Sequence, residues 1–156
     1  MTDAVDLLGG IDIDVDETEI DHLNSYMVET SKVTGVASKP LTHTGLQTLD
    51  GVQATSYCRI RYTAGDDFKR TERQREVIQE LVRKAKTMEI SKINDIINAV
   101  FPKIATNYSN KELLEMAPQM IGYDIADTAG FPFDRETGTI SGSCLLYTSP
   151  SPRDVE

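Results

Sequence analysis

The chain has 156 residues, with 25 Asp and Glu against 16 Lys and Arg, a net charge of -9 and no Trp. With 39% hydrophobic and 26% charged residues it has the composition of a single globular domain rather than a disordered or fibrous chain. The acidic balance argues against a general nucleic-acid binder, whose sequence-independent affinity comes from Lys and Arg neutralising phosphates.

Ile11, Ile13 and Val15 alternate with Asp12, Asp14 and Asp16 after Gly9-Gly10, the period-2 pattern of a strand with one buried and one wet face. A calcium loop starting at Asp12 would need Gly at its sixth position and Glu at its twelfth, where Glu17 and Leu23 stand. Ile20, Leu23, Tyr26 and Met27 predict a helix from Glu17 to about Val33, ended by Thr34-Gly35. A loop through Pro40 follows, and Asp50 is placed to cap a short helix running to about Arg59. Thr63-Ala64-Gly65-Asp66-Asp67 is turn chemistry.

From Arg70 to Lys86 a helix is predicted, with Val77, Ile78, Leu81, Val82 and Ala85 as one apolar stripe. Two more helices are expected, from about Ser91 to Val100 and from Ser109 to about Ala117. Ser109 and Glu112 form a capping box for the second, and Pro118 is expected to stop or kink it. Beyond Gly122 the chain reads as extended, with Arg135-Glu136-Thr137-Gly138 as a turn. Cys58 and Cys144 have no partner at metal-ligand spacing, and no apolar run approaches the roughly 20 residues that span a bilayer.

The charge is unevenly spread. Residues 1 to 31 carry nine acids and no Lys or Arg, whereas Arg59 to Lys86 carries nine bases against five acids, a local +4. Arg59 and Arg61, two apart, would leave an extended backbone from one face. Arg70, Arg73 and Gln74, at i, i+3 and i+4, would share a face of the first turn of the following helix, whose free N–H groups also favour an anion. Four arginines and an amide across a tight turn form a clamp suited to pyrophosphate, because the guanidinium fork makes paired, charge-assisted bonds to phosphate oxygens. A solvated, salt-bridged helix start is the competing reading of the same residues.

The stretch Leu49-Asp50-Gly51-Val52-Gln53-Ala54, continuing through Tyr57-Cys58-Arg59-Ile60-Arg61-Tyr62 to Gly65-Asp66-Asp67-Phe68-Lys69-Arg70-Thr71-Glu72-Arg73-Gln74-Arg75, resembles the LytR-CpsA-Psr family, long labelled cell envelope-related transcriptional attenuators. Val5-Asp6-Leu7-Leu8-Gly9-Gly10-Ile11 and Gly130-Phe131-Pro132-Phe133 extend the resemblance to about residues 1–143. It implies an α/β fold, an α-β-α sandwich with a mixed central sheet, present here as an incomplete C-terminal portion. The implied activity is that of a membrane-anchored phosphotransferase on the extracellular face, mainly of Gram-positive bacteria. Such an enzyme moves teichoic acid or capsular polysaccharide from undecaprenyl pyrophosphate to peptidoglycan.

Carried over by position, Arg59, Arg61 and Arg70 are the implied catalytic groups. With Arg73 and Gln74 they are the implied pyrophosphate contacts, and Asp66 and Asp67 the support that fixes them. The family also uses Mg2+, held by two aspartates upstream of anything present here, so no metal ligand is expected in this chain. The expected partners are a polyprenyl pyrophosphate-linked glycopolymer and a peptidoglycan acceptor, with no nucleic acid. Two other classes stay open: a non-catalytic polyprenyl pyrophosphate-binding envelope protein, and a regulator of transcription, which the charge of -9 and the lack of a basic recognition helix count against.

Residues 144–154 resemble the in-frame translation of a transposase-type sequencing adapter, so 144–156 are expected to be a disordered tail outside the domain. A piece lacking the family's N-terminal half and membrane anchor is expected to fold poorly and to be inactive alone.

Overall fold

The computed structural model describes residues 1–61, 66–120, 122–129, 135–140 and 143–148. Of the expected turn at 63–67, residues 63–65 lie outside them, while Asp66 and Asp67 are helical rather than turn, with side chains outside the described residues; the Gly130–Phe133 motif also lies outside them. The chain divides into two units, Met1–Ile125 and Ala126–Glu156.

In the first unit, α1 (Thr2–Leu7) leads through Gly9 and Gly10 into β1 (Ile11–Val15). Gly10 has φ +89°, and a Cβ there would lie 2.9 Å from the Leu49 carbonyl oxygen, so only glycine admits this close approach. Strand β1 has the predicted alternation: Ile11, Ile13 and Val15 are buried while Asp14 is exposed. It pairs antiparallel with β2 (Gly45–Leu49), in the register Ile11 to Leu49 and Val15 to Gly45. The sequence predicts a loop over these residues, because the only buried side chain of β2 is Leu49 and Leu46 is 74% exposed. An edge strand so thinly buried carries little hydrophobic pattern, and its pairing with β1 decides its conformation.

Helix α2 (Glu17–Thr34) starts at a full capping box: the Asp16 carboxylate accepts from the Thr18 and Glu19 N–H groups, and Glu19 accepts from the Asp16 N–H. It ends at Gly35, in the left-handed region at φ +72°. Helix α3 (Gly51–Tyr57) has a second capping box, Asp50 with Gln53. It is nearly all buried, held between α1 and α2.

The α1–α3 contact leaves no room at Gly51. Its N–H donates to Asp6 Oδ1 at 2.7 Å, and an added Cβ would fall 2.2 Å from the Thr2 carbonyl oxygen. Gly51→Ala is therefore expected to destabilise the protein by about 1–3 kcal/mol, because backbone, unlike a flexible side chain, cannot yield cheaply. Urea unfolding with an unchanged midpoint would contradict this.

Helix α4 (Asp66–Lys86) begins four residues before the predicted Arg70 and packs on β1. Of its expected stripe Val77 is fully buried, Leu81, Val82 and Ala85 are half-buried, and Ile78 is 52% exposed. The core gathers Ile11, Ile13, Val15, Leu23, Leu49, Val52, Ile60 and Val77 under the β1–β2 face. Helix α5 (Ile90–Val100) lies where expected, with Ile93, Ile96, Ile97 and Val100 half-buried. Helix α6 (Asn110–Met120) runs through Pro118, two residues past which it ends. In a last turn the missing proline N–H forfeits a single bond, so the helix is not stopped there. Its stripe is only partly packed: Leu113 is half-buried, Leu114 and Met116 exposed.

The second unit contains a hairpin, β3 (Arg135–Ile140) with β4 (Ser143–Thr148), paired from Arg135 with Thr148 to Ile140 with Ser143. Two expectations change here. Residues 135–138, read as a turn, are a strand, and 144–148, expected to be disordered, are its partner. Ladder pairing along six residues on each strand outweighs the local turn preference of Thr137-Gly138, and Leu145, Leu146, Tyr147 and Thr148 suit a strand. The α/β class holds, and both sheets among the described residues are two-stranded and antiparallel.

Candidate functional site

Among the described residues of the first unit, three concavities can be compared. One of about 540 Å³ is lined by Ala37, Ser38, Lys39, Thr48, Asp50 and Gln53, and Asp50 and Gln53 there are committed to capping α3. Another, of about 440 Å³, sets Arg83 and Lys86 beside Glu80 and Asp124, which neutralise them in ion pairs. The third, of about 340 Å³, is lined by Tyr26, Cys58, Arg59, Arg61, Arg70 and Gln74, so that three guanidinium groups and an amide meet in its wall. It is the candidate anion site.

The positions of these groups follow from the local structure. After α3 the chain turns through hydrogen bonds from Arg59 N to Ser56 O and from Ile60 N to Tyr57 O. Ile60 is then driven fully into the core, and Arg59 and Arg61 flank that anchor at the surface. The turn replaces the extended backbone expected at Arg59, yet both arginines still reach one cavity. Arg70 and Gln74, about 40° apart around α4, line the opposite wall, and Gln74 Nε2 donates to the Cys58 carbonyl at 3.4 Å. Because α4 begins at Asp66, Arg70 stands in its second turn, not its first.

Arg73 does not line the cavity. It falls about 60° to the other side of Arg70, one turn before buried Val77, and is only 4% exposed. Its Nε donates to Glu19 Oε1 at 2.7 Å and its Nη1 to the Ile60 carbonyl at 3.1 Å, with the guanidinium 5.9 Å from the Tyr57 ring centroid. The expectation that Arg73 contacts pyrophosphate is corrected on this geometry: it is a buried core cation. The signal was its place four residues before Val77, on the apolar stripe. Asp66 and Asp67, expected as supports, have side chains outside the described residues.

Three residues of this region had no signal in the linear pattern. The Arg59 guanidinium sits 5.2 Å from the Tyr26 ring centroid and donates to Glu29 Oε2 at 2.6 Å and to Thr30 Oγ1 at 3.3 Å. Tyr26, Glu29 and Thr30 all come from the C-terminal half of α2, more than 25 residues from Arg59, so only the packing of α2 on α3 brings them together. Cys58 is no nucleophile: burial, with the Glu76 carboxylate second, pushes its thiol up to about 12, which keeps it protonated at neutral pH.

Among the described residues no group of three or more His, Cys, Asp and Glu is placed to hold a metal ion. Asp12 is bound to Thr48 and Asp16 is spent capping α2, so the aspartate run does not supply one. The described residues do not fit a Mg2+ site. No helix among the described residues is long and apolar enough to cross a membrane.

The sequence model of the LytR_cpsA_psr family matches residues 1–148. The chain belongs to the LytR-CpsA-Psr family. This LytR-CpsA-Psr chain is 37% identical over 75 residues, 47% of its length and 25% of the relative's, to the Enterococcus faecalis polyisoprenyl-teichoic acid–peptidoglycan teichoic acid transferase TagU. It is 34% identical over 110 residues, 67% of its length and 27% of the relative's, to biofilm regulatory protein A of Streptococcus mutans. Its fold is that of protein gbs0355 from Streptococcus agalactiae, with a TM-score of 0.65 at 24% identity over 93% of this chain and 47% of that one. The matched stretches are about a quarter of the length of these curated relatives.

Proposed function

We propose that this chain supplies the pyrophosphate-binding part of a cell-envelope transferase that moves a polyprenyl pyrophosphate-linked glycopolymer, teichoic acid or capsular polysaccharide, to peptidoglycan outside the membrane. The observation that carries the reading is the convergence of Arg59, Arg61, Arg70 and Gln74 on one cavity. The name of the E. faecalis relative supports the reaction class.

In this reaction an acceptor hydroxyl attacks the phosphorus that bears the glycopolymer. The bridging P–O bond breaks, polyprenyl phosphate leaves, and the acceptor's proton passes to solvent. Such transfer depends on positioning and on neutralising the charge that builds on phosphate oxygens. Arg59, Arg61 and Arg70 line the cavity as three guanidinium groups, and Gln74 adds a neutral amide. Mg2+, which supplies further charge neutralisation in such chemistry, would be held by carboxylates outside the described residues.

The direct test is calorimetric titration with inorganic pyrophosphate at several salt concentrations. Binding that weakens as salt rises and is much weaker, though still measurable, in Arg61→Ala is expected; binding indifferent to Arg61→Ala would sink the proposal. Glu29 holds Arg59 in an ion pair that an incoming anion must displace. Glu29→Gln is therefore expected to tighten pyrophosphate binding about two- to fivefold, the equivalent of the up to ~1 kcal/mol an exposed pair is worth.

A further inference from the structure

We infer that Glu19 and Arg73 are positioning residues for the arginine clamp: they aim Arg61 and lock the two helices that wall the cavity, without touching the ligand. The inference rests on the pyrophosphate-binding reading of that cavity.

The geometry of Arg73 carries it. Its Nη1 holds the carbonyl of Ile60, whose oxygen lies in the same rigid peptide plane as the nitrogen and Cα of Arg61. Fixing that carbonyl sets the direction in which Arg61 leaves the backbone, one residue beyond an anchor that is itself fully buried. The other end of the guanidinium is held by Glu19, which divides its two oxygens: Oε1 accepts from Arg73 and Oε2 accepts from the Asp16 N–H at the cap of α2. One carboxylate thus ties the start of α2, which carries Tyr26, to α4, which carries Arg70 and Gln74. Both side chains are nearly inaccessible, 5% and 8% exposed, so water does not loosen the link.

Stability alone gives little reason for such a pair, since well-packed apolar side chains in its place are often as stabilising or more so. Apolar side chains could not grip the Ile60 carbonyl. Two guanidinium groups on a surface turn are useful for phosphoryl transfer only when they are held in place beforehand, because misplacement of about 1 Å costs up to about 10²-fold in rate.

The test is a double-mutant cycle read by inorganic pyrophosphate affinity on the full chain. Arg73→Lys keeps a positive charge for Glu19 but loses the fork that reaches Glu19 and Ile60 together. It is expected to weaken pyrophosphate binding about tenfold, with a native circular dichroism spectrum. In an Arg61→Ala background the same change should cost less than about twofold, because the group it aims is gone. If Arg73→Lys does not fold, Glu19→Gln is put through the same comparison.

Affinity within twofold of wild type, or an equal loss in both backgrounds, would overturn the positioning role while leaving the binding site intact. Failure of the wild type to bind pyrophosphate, with Arg70→Ala indistinguishable from it, would overturn the functional reading and this inference with it.

Discussion

Arg70→Ala is expected to lower glycopolymer transfer by about 10²–10³-fold, the range seen when one preorganised donor is removed from a transition-state charge. Arg70 stands on α4, a 21-residue helix whose Val77 is seated in the core, so its backbone cannot drift toward the ligand or away from it. The donor is therefore organised before the reaction begins. Arg70→Lys should recover only part of the loss, since an ammonium keeps the charge but not the two-pronged geometry. The measurement is transfer of lipid-linked polymer by the whole protein at saturating donor substrate. An unchanged kcat in Arg70→Ala would remove this arginine from the reacting centre.

The second large effect is on stability. Glu19→Ala leaves Arg73 buried without its carboxylate and strips the Asp16 N–H of its acceptor at the start of α2. Removing one partner of a buried ion pair typically costs about 3–5 kcal/mol, because the remaining charge is stranded away from water. Paired replacement, Glu19→Met with Arg73→Leu, should recover most of that loss, since two apolar side chains need no counterion. Denaturant unfolding of the two variants checks both statements; a single variant as stable as wild type would mean that Arg73 does not depend on Glu19. The double variant also separates stability from function, because it should unfold normally yet bind pyrophosphate poorly.

Elements whose pattern is written in adjacent residues were legible beforehand. The alternation Ile11-Asp12-Ile13-Asp14-Val15, the Asp16 and Asp50 caps and the stop at Gly35 depend on contacts within a few positions, so β1, α2 and α3 follow from local chemistry alone. The basic island and the family resemblance together pointed to Arg59, Arg61, Arg70, Arg73 and Gln74, and four of these five line one cavity. Strand β2 and the β3–β4 hairpin were not legible, because what makes them strands is the partner lying beside them.

Arg73 marks the boundary most clearly. Four arginines in one motif look alike in the linear chain, and helical spacing puts Arg73 almost as near to Arg70 as Gln74 is. Which of them faces ligand and which faces the core was decided by the rotation of α4 against β1, which seats Val77 and carries Arg73 inward with it to Glu19, 54 residues away in sequence. The residue types and their spacing marked out which side chains could bind an anion, because charge and donor geometry belong to side chains. The division of those side chains between binding and support was a tertiary matter, because burial is a property of packed faces and not of positions in a chain.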